Sequence, residues 1–252
     1  MSCGQNYTLY IWAQNGCSTS AASVFTFSLS CTSCGSQVFM AVNMNVGTMI
    51  NGSNEQNNNS QLEKYCYNNT PANCTTYGGL YQWAEAVGEP YSSNSTLVGG
   101  FWQGCDPCGS SGRQGICPAG YHIPTDLEWS RYEWCVENNI PPTGTTPLAT
   151  FQGNQNWRGT NSSTMGPGAK LKASNSNSPA WDGTNASGFT ALPAGTRGIG
   201  GFGTLGSLAY FWSATENSAT HAWNRLLSTG VWQSFRSSAL KTHGYSVRCL
   251  QN

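Results

Sequence analysis

Short apolar islands alternate with long polar stretches along the chain, and the islands carry the secondary-structure signals. From Tyr7 to Ala13 the run Tyr-Thr-Leu-Tyr-Ile-Trp-Ala is rich in strand formers, Asn15-Gly16 is a turn signal, and Val24-Phe25-Thr26-Phe27 resumes the pattern. This predicts a hairpin-like piece. Leu80, Trp83, Ala84 and Val87 fall on one helical face and predict a first helix over 80–87. A second helix has a clearer start: Thr125 can cap it, Glu128 completes a capping box, and Pro124 sits just before. Trp129, Tyr132 and Val136 then share a face, and Pro141-Pro142 stops the helix because proline lacks the next amide.

Gly, Ser and Asn dominate from Gly153 to Gly206, where only short strands in long loops are expected. Four strand candidates follow: Ala209 to Trp212, Ala222 to Leu227, Val231 to Phe235, and Tyr245 to Leu250. The Asn-rich runs at 51–54 and 57–60 read as exposed turns.

Only 9% of the 252 residues are charged and the net charge is zero, while 12% are aromatic. Soluble domains average roughly 25% charged residues, so a charge-solvated disordered chain is excluded and a compact fold is expected. Without a Lys/Arg cluster there is no footprint for nucleic acid. No run approaches the roughly 18 apolar residues that cross a bilayer. Eleven cysteines point to an oxidising compartment, with an odd one left over. Met1 to Gly4 lack the basic and apolar regions of a signal peptide, so the chain reads as a piece whose natural start is missing.

Chemistry is hard to find. Cys31-Thr-Ser-Cys34 and Cys105-Asp-Pro-Cys108 would make a four-cysteine zinc site only across a long separation, and disulfides are favoured. A thioredoxin-like role would need such a pair at a helix N-terminus, a context the sequence does not display. His122, His221 and His243 are scattered without metal-ligand spacing, so no metal or other cofactor is expected. His122 reads as a packing residue, and Asp126 and Glu128 as charges of the helix's first turn. The stretch Gly198 to Gly203 is a weak phosphate cradle. Sequons at Asn6, Asn51, Asn68, Asn94, Asn161 and Asn185 could accept glycans.

Several ordered runs point to one family: Gly35-Ser-Gln-Val-Phe-Met-Ala41 with Asn43, Lys64-Tyr-Cys-Tyr-Asn-Asn69, Tyr77-Gly-Gly-Leu-Tyr-Gln-Trp83 and Cys117-Pro-Ala-Gly-Tyr-His-Ile-Pro124. They continue in Glu128-Trp129, Gly188-Phe-Thr-Ala-Leu-Pro-Ala-Gly195 with Arg197, Phe211-Trp-Ser-Ala-Thr-Glu216, and Ser246-Val-Arg-Cys249. Together these resemble the Fibrobacter succinogenes major paralogous domain, over Cys34 to the C-terminus. That family is similar to the C-type-lectin-like fold of formylglycine-generating enzymes and of the variable proteins of diversity-generating retroelements. The resemblance implies an α+β domain over 34–252, with two helices flanking a small, twisted, mainly antiparallel sheet and long loops. Residues 1–33 resemble the last strands of a fibronectin- or immunoglobulin-like module.

Three functions live on such a fold. A calcium lectin is disfavoured because Glu89-Pro-Tyr91 and Trp223-Asn-Arg225 break the ligand pattern. A formylglycine-generating enzyme would need a reactive cysteine pair in the C-terminal part, where only Cys249 lies after Cys135. Cys249 is expected to pair with Cys117, Cys66 with Cys74, and Cys105 with Cys108.

The remaining expectation is a non-catalytic, exported or surface-displayed protein that binds a protein or glycan on another cell or surface. The variable-protein reading puts scaffold at Phe211 to Ser213, Ala222, Trp223, Arg225, Gly244 and Ser246 to Cys249. Ligand-facing positions are then His221, Asn224, Leu226, Ser228, Trp232, Ser234, Phe235, Ser237, Ser238, Leu240 and His243. Rigid aromatics among Ser and Asn suit such a surface. Adenine-directed diversification of Asn codons would reach His, Leu, Ser and Phe but not Trp232. The alternative is a non-diversified structural or carbohydrate-associated module of the same family.

Overall fold

The computed structural model describes residues 31–100, 103–153 and 155–252, preceded by the backbone of 6–11, 14–15, 18–19 and 23–28; side chains are described from residue 34. Strand β1 (Asn6–Ile11) runs antiparallel to β4 (Ser23–Ser28), with Tyr7 opposite Phe27 as the strand formers on either side of the turn signal require. Between them lie β2 (Gln14–Asn15) and β3 (Ser18–Thr19).

Two four-stranded sheets organise the rest. The first has the order β5 (Cys31–Cys34), β6 (Gln37–Met40), β16 (Leu250–Gln251), β9 (Tyr121–His122), and brings the chain's last strand between two early ones. The second, which carries the site described below, has the order β10 (Asn156–Arg158), β15 (Ser234–Leu240), β14 (His221–Ser228), β13 (Leu208–Glu216), all antiparallel. Smaller pairs are β7 (Thr48–Ile50) with β8 (Glu63–Tyr65), which run parallel, and the hairpin β11 (Thr196–Gly198) with β12 (Gly201–Gly203). The Gly-rich run 198–203 is thus a hairpin turn.

Five α-helices accompany the sheets among the described residues: α1 (Pro71–Tyr77), α2 (Trp83–Val87), α3 (Asp126–Asn139), α4 (Leu148–Gly153) and α5 (Pro167–Leu171). The expected capping box is present at α3, where the Thr125 hydroxyl accepts from the Glu128 amide and the Glu128 carboxylate accepts from the Thr125 amide. The architecture is α+β, with few helices and small, mostly antiparallel sheets.

Several boundaries differ from expectation. The first helix loses Leu80 and Tyr81, whose backbones bridge Tyr65 and Tyr245 instead. Two single-turn helices, α4 and α5, flank and enter the stretch expected to hold strands and loops, because Pro167 can open a helix without losing a needed amide. The strand expected at Val231 to Phe235 starts at Ser234 and runs to Leu240. Tyr245 to Leu250 is not one ladder: its backbone bonds Tyr81, Tyr210, Trp212, Met44 and Met40 in turn.

Strand β13 separates two aromatic cores. Trp212 joins Tyr81, Trp83, Tyr245, Val247 and the Cys117–Cys249 bridge on one side. Its neighbour Phe211 faces Phe39, Trp129, Tyr132 and Phe189 on the other, with ring centroids 4.4 to 5.8 Å apart. Loops of this length leave many carbonyls without a ladder partner, and buried cations collect them. Lys170 donates to carbonyls of Val136, Glu137, Ile140 and Pro142, and Lys241 to those of Ser93, Thr96 and Ala219. Arg158, Lys172, Arg197, Arg225 and Arg248 are buried as well, so most of the eleven basic side chains lie inside. The low charge content therefore does not describe a neutral core.

Candidate ligand-binding site

Antiparallel register sorts the residues of the second sheet onto two faces. Tyr210 pairs with Leu226, Leu226 with Phe235, and Phe235 with Trp157, so one row of apolar side chains crosses all four strands. All four are half-buried, and the Trp157 and Phe235 rings lie 4.8 Å apart. At the β13 end the row continues into Tyr245, whose ring stacks on Tyr210 at 4.7 Å, and His243 lies edge-on to Tyr245. Ser228 and Ser237, also half-buried, flank the row on the same face.

The opposite face is closed by α3. Phe211, Arg225 and Arg236 form a row there, and Arg225 donates to the Asp126 carboxylate at 2.7 Å and to Glu133 at 3.1 Å. Arg236 binds the same Asp126 with two nitrogens, and Arg158 on β10 joins Glu133. Burial alone would raise Asp126, but the two guanidinium groups outweigh it and hold its carboxyl down at about 2. Burial also pushes Arg158 down to about 9. Asp126 and Glu128 are therefore buried partners in a charge network, and not simply first-turn charges.

Ten of the eleven residues named from sequence divide accordingly, and the eleventh, His243, is the one beside Tyr245. Leu226, Ser228, Phe235 and Ser237 share the open face; His221, Ser238 and Leu240 lie half-buried at the far end of the α3 face, beside Trp223 and the Arg236 guanidinium 3.7 Å over its ring. Trp232 sits in the turn before β15 with the Lys172 ammonium 4.5 Å from its ring centre. Asn224 and Ser234 are corrected: both are buried and therefore cannot face a ligand, Asn224 because it lies under Trp212 in the row and Ser234 because it opposes Arg158 on the closed face. Trp157 and Tyr210 were missed. Trp157 stands in a Gly- and Asn-rich stretch with no strand signal, and only pairing with β15 gives it a place.

Of the expected disulfides, Cys117–Cys249, Cys66–Cys74 and Cys105–Cys108 are formed. Cys34 pairs with Cys135 on α3, an unexpected link between β5 and that helix. The bridges remove thiolates from any zinc site built on Cys34, Cys105 and Cys108. Cys108, His122 and Glu128 have ligand-type atoms within 4.8 Å of one another, but the sulfur is committed to its disulfide. His122 is indeed packed, with Nδ1 2.7 Å from Asn252 and Nε2 3.1 Å from Glu128. Among the sequons, Asn94 is buried and bonded to the Ala84 amide, which excludes a glycan there in the folded state.

Clefts elsewhere, of about 420 Å³ beside Glu85 and Glu89 and about 450 Å³ beside Asn43 and Arg248, lie away from the sheet. The row itself is a surface, which suits an extended ligand better than a small molecule.

Residues 33–251 match the Fibrobacter succinogenes major domain. The chain belongs to that family. No curated protein and no solved structure matches it. The family-type runs now have physical roles here. Arg248 of Ser-Val-Arg-Cys donates to the Met40 and Phe189 carbonyls and stacks 4.1 Å over the Phe189 ring of Gly-Phe-Thr-Ala-Leu-Pro. Arg197 binds the carbonyls of Gly52 and Thr242 and covers Tyr65 of the Lys-Tyr-Cys run. These motifs hold loops in place.

Proposed function

We propose that this Fibrobacter succinogenes major domain is a non-catalytic binding module, exported or displayed on a surface, whose ligand lies across the open face of the β10-β15-β14-β13 sheet. One observation carries the reading: the register places Tyr210, Leu226, Phe235 and Trp157 in a half-exposed row flanked by Ser228 and Ser237. Aromatic and aliphatic anchors among small polar residues give large contact area at low entropy cost, the composition of a protein- or glycan-binding surface. Four disulfides support an oxidising location. Among the described residues no helix is long and apolar enough to cross a membrane.

An array of glycans and folded proteins probed with the purified chain tests the proposal. Spots bound by the wild type and lost by Leu226→Ser/Phe235→Ser, in a variant that melts within about 4 °C of the wild type, support it. Binding that survives the double variant contradicts it.

Retroelement diversification is the finer form of this reading. It predicts a near-copy of the 3′ segment beside a reverse transcriptase, differing at adenines in the codons of Leu226, Ser228, Phe235 and Ser237 and sparing Asn224 and Ser234. A locus without the copy favours the non-diversified module.

A further inference from the structure

The four disulfides among the described residues are not equivalent. Both partners are buried in Cys34–Cys135, Cys66–Cys74 and Cys117–Cys249, whereas Cys105 is half-exposed and Cys108 is 6% exposed at the wall of an open cleft of about 400 Å³. Pro107, Gly109, Ser110 and Gln37 line the same cleft. An external thiol can therefore reach this bridge through Cys105, and the other three are shielded on both sides.

The surroundings of Cys108 are also unlike those of a purely structural bridge. Its sulfur lies within 4.8 Å of a His122 ring nitrogen and a Glu128 oxygen. Both His122 nitrogens face oxygen atoms, Oδ1 of Asn252 and the Glu128 carboxylate, an arrangement that fits a doubly protonated, positively charged ring. Burial opposes that charge, but Glu128 and Asn252 outweigh it and raise the histidine above its ordinary range. Glu128 in turn accepts from the amides of Cys108 and Thr125, which offset its own charge. The other charged groups nearby neutralise each other: Asp106, inside the Cys-x-x-Cys loop, is gripped by Arg131 of α3. The loop is also fastened to the N-terminus of α3, since the Thr125 hydroxyl donates to the Cys105 carbonyl. A Cβ on Gly112 would fall 2.4 Å from Cγ of His122, so glycine there lets the backbone close over the ring.

We propose that Cys105–Cys108 is a thiol–disulfide exchange site, with an external dithiol as its reaction partner and Cys108 as the leaving thiolate beside His122. A Cys-x-x-Cys loop and a neighbouring imidazolium each favour a thiolate, and the two meet at this position. In the forward step a thiolate of the dithiol attacks Sγ of Cys105. The bond between the two protein sulfurs breaks, its electron pair leaves on Cys108, and a mixed disulfide forms at Cys105. The dithiol's second sulfur then attacks that mixed disulfide and releases Cys105. The protein gains two electrons and the protons shed by the dithiol, which ends as its own internal disulfide. His122 acts as a positioning residue that holds the Cys108 thiolate.

Limited reduction of the native chain with dithiothreitol, followed by alkylation and peptide mapping, tests this. Cys105 and Cys108 are expected to be labelled before any other described cysteine, in a chain that stays folded. Simultaneous or earlier opening of Cys66–Cys74 overturns the proposal. The role of His122 is read separately, from the equilibrium with a dithiothreitol redox buffer. His122→Gln keeps hydrogen-bonding atoms but loses the charge, and should shift that equilibrium about tenfold toward the disulfide, the equivalent of one pKa unit on the Cys108 thiol. An unchanged equilibrium would remove His122 from the site. The wild-type reduction arm stands even if the variant does not fold.

Discussion

The two faces of the β10-β15-β14-β13 sheet are built by the same strands and differ in what they spend their residues on. The face toward α3 holds charged groups that are nearly all paired: Arg225 and Arg236 on Asp126, Arg225 and Arg158 on Glu133. The other face holds the apolar row Tyr210, Leu226, Phe235 and Trp157, half-exposed, with the Trp157 and Phe235 rings 4.8 Å apart. Beside the ion pairs, Phe211 and Leu227 of the α3 face pack into the core with Trp129 and Tyr132. A buried, geometrically demanding ion network fixes the sheet on its helix, while on the opposite side Leu226, Phe235 and Trp157 lie outside both cores and only the Tyr210 end joins the core around Trp212.

Removing the Cys117–Cys249 cross-link, which sits in the core on the Trp212 side, should have the largest effect. Cys117 and Cys249 are separated by 132 positions, and the chain-entropy model values a loop of that length at about 4 to 5 kcal/mol. Cys117→Ser/Cys249→Ser should lower the denaturation free energy by that amount and destabilise both faces together. Next, Arg225→Met leaves buried carboxylates short of a partner and should cost about 3 kcal/mol in chemical denaturation. A loss below about 1 kcal/mol would show the closed face to be ordinary packing.

Acid should then separate the faces. Asp126 is held at about 2 in the fold, below an ordinary aspartate, so its stabilisation is present above the unfolded pKa and is lost as pH falls from roughly 4 toward 2. Melting temperatures across that range should drop, and Asp126→Asn should flatten that part of the curve. The smallest effect is expected on the open face, where Leu226→Ser/Phe235→Ser should change stability by about 1 kcal/mol or less because neither side chain is fully buried.

Local signals were legible in the sequence and tertiary ones were not. Thr125 and Glu128 announce the start of α3 because a capping box is complete within four residues, and Pro141-Pro142 ends it for an equally local reason. Cys249 was expected with Cys117 as a bridge that would tie the terminal sheet to the first half of the domain, and that bridge is formed. The burial of Asp126 was not readable, because its partners Arg225 and Arg236 lie far along the chain and meet it only once the sheet packs on α3. Ser234 was misplaced for a related reason, whereas Asn224 lies on the same side as Leu226 and is buried beside Trp212. Which face a strand residue takes depends on where the strand begins and what it pairs with, and β15 starts three residues later than its apolar pattern suggested. Trp157 entered the surface only through its pairing with Phe235.

The most direct test of the division between faces is a pair of displayed libraries, one randomised at Leu226, Ser228, Phe235 and Ser237 and the other at Arg225, Leu227, Ser234 and Arg236, each scored for protease resistance. The account predicts that most members of the first library remain resistant and most of the second are cleaved. Equal loss of resistance in both would show that the open face is part of the core, and would contradict its assignment as a ligand-binding surface.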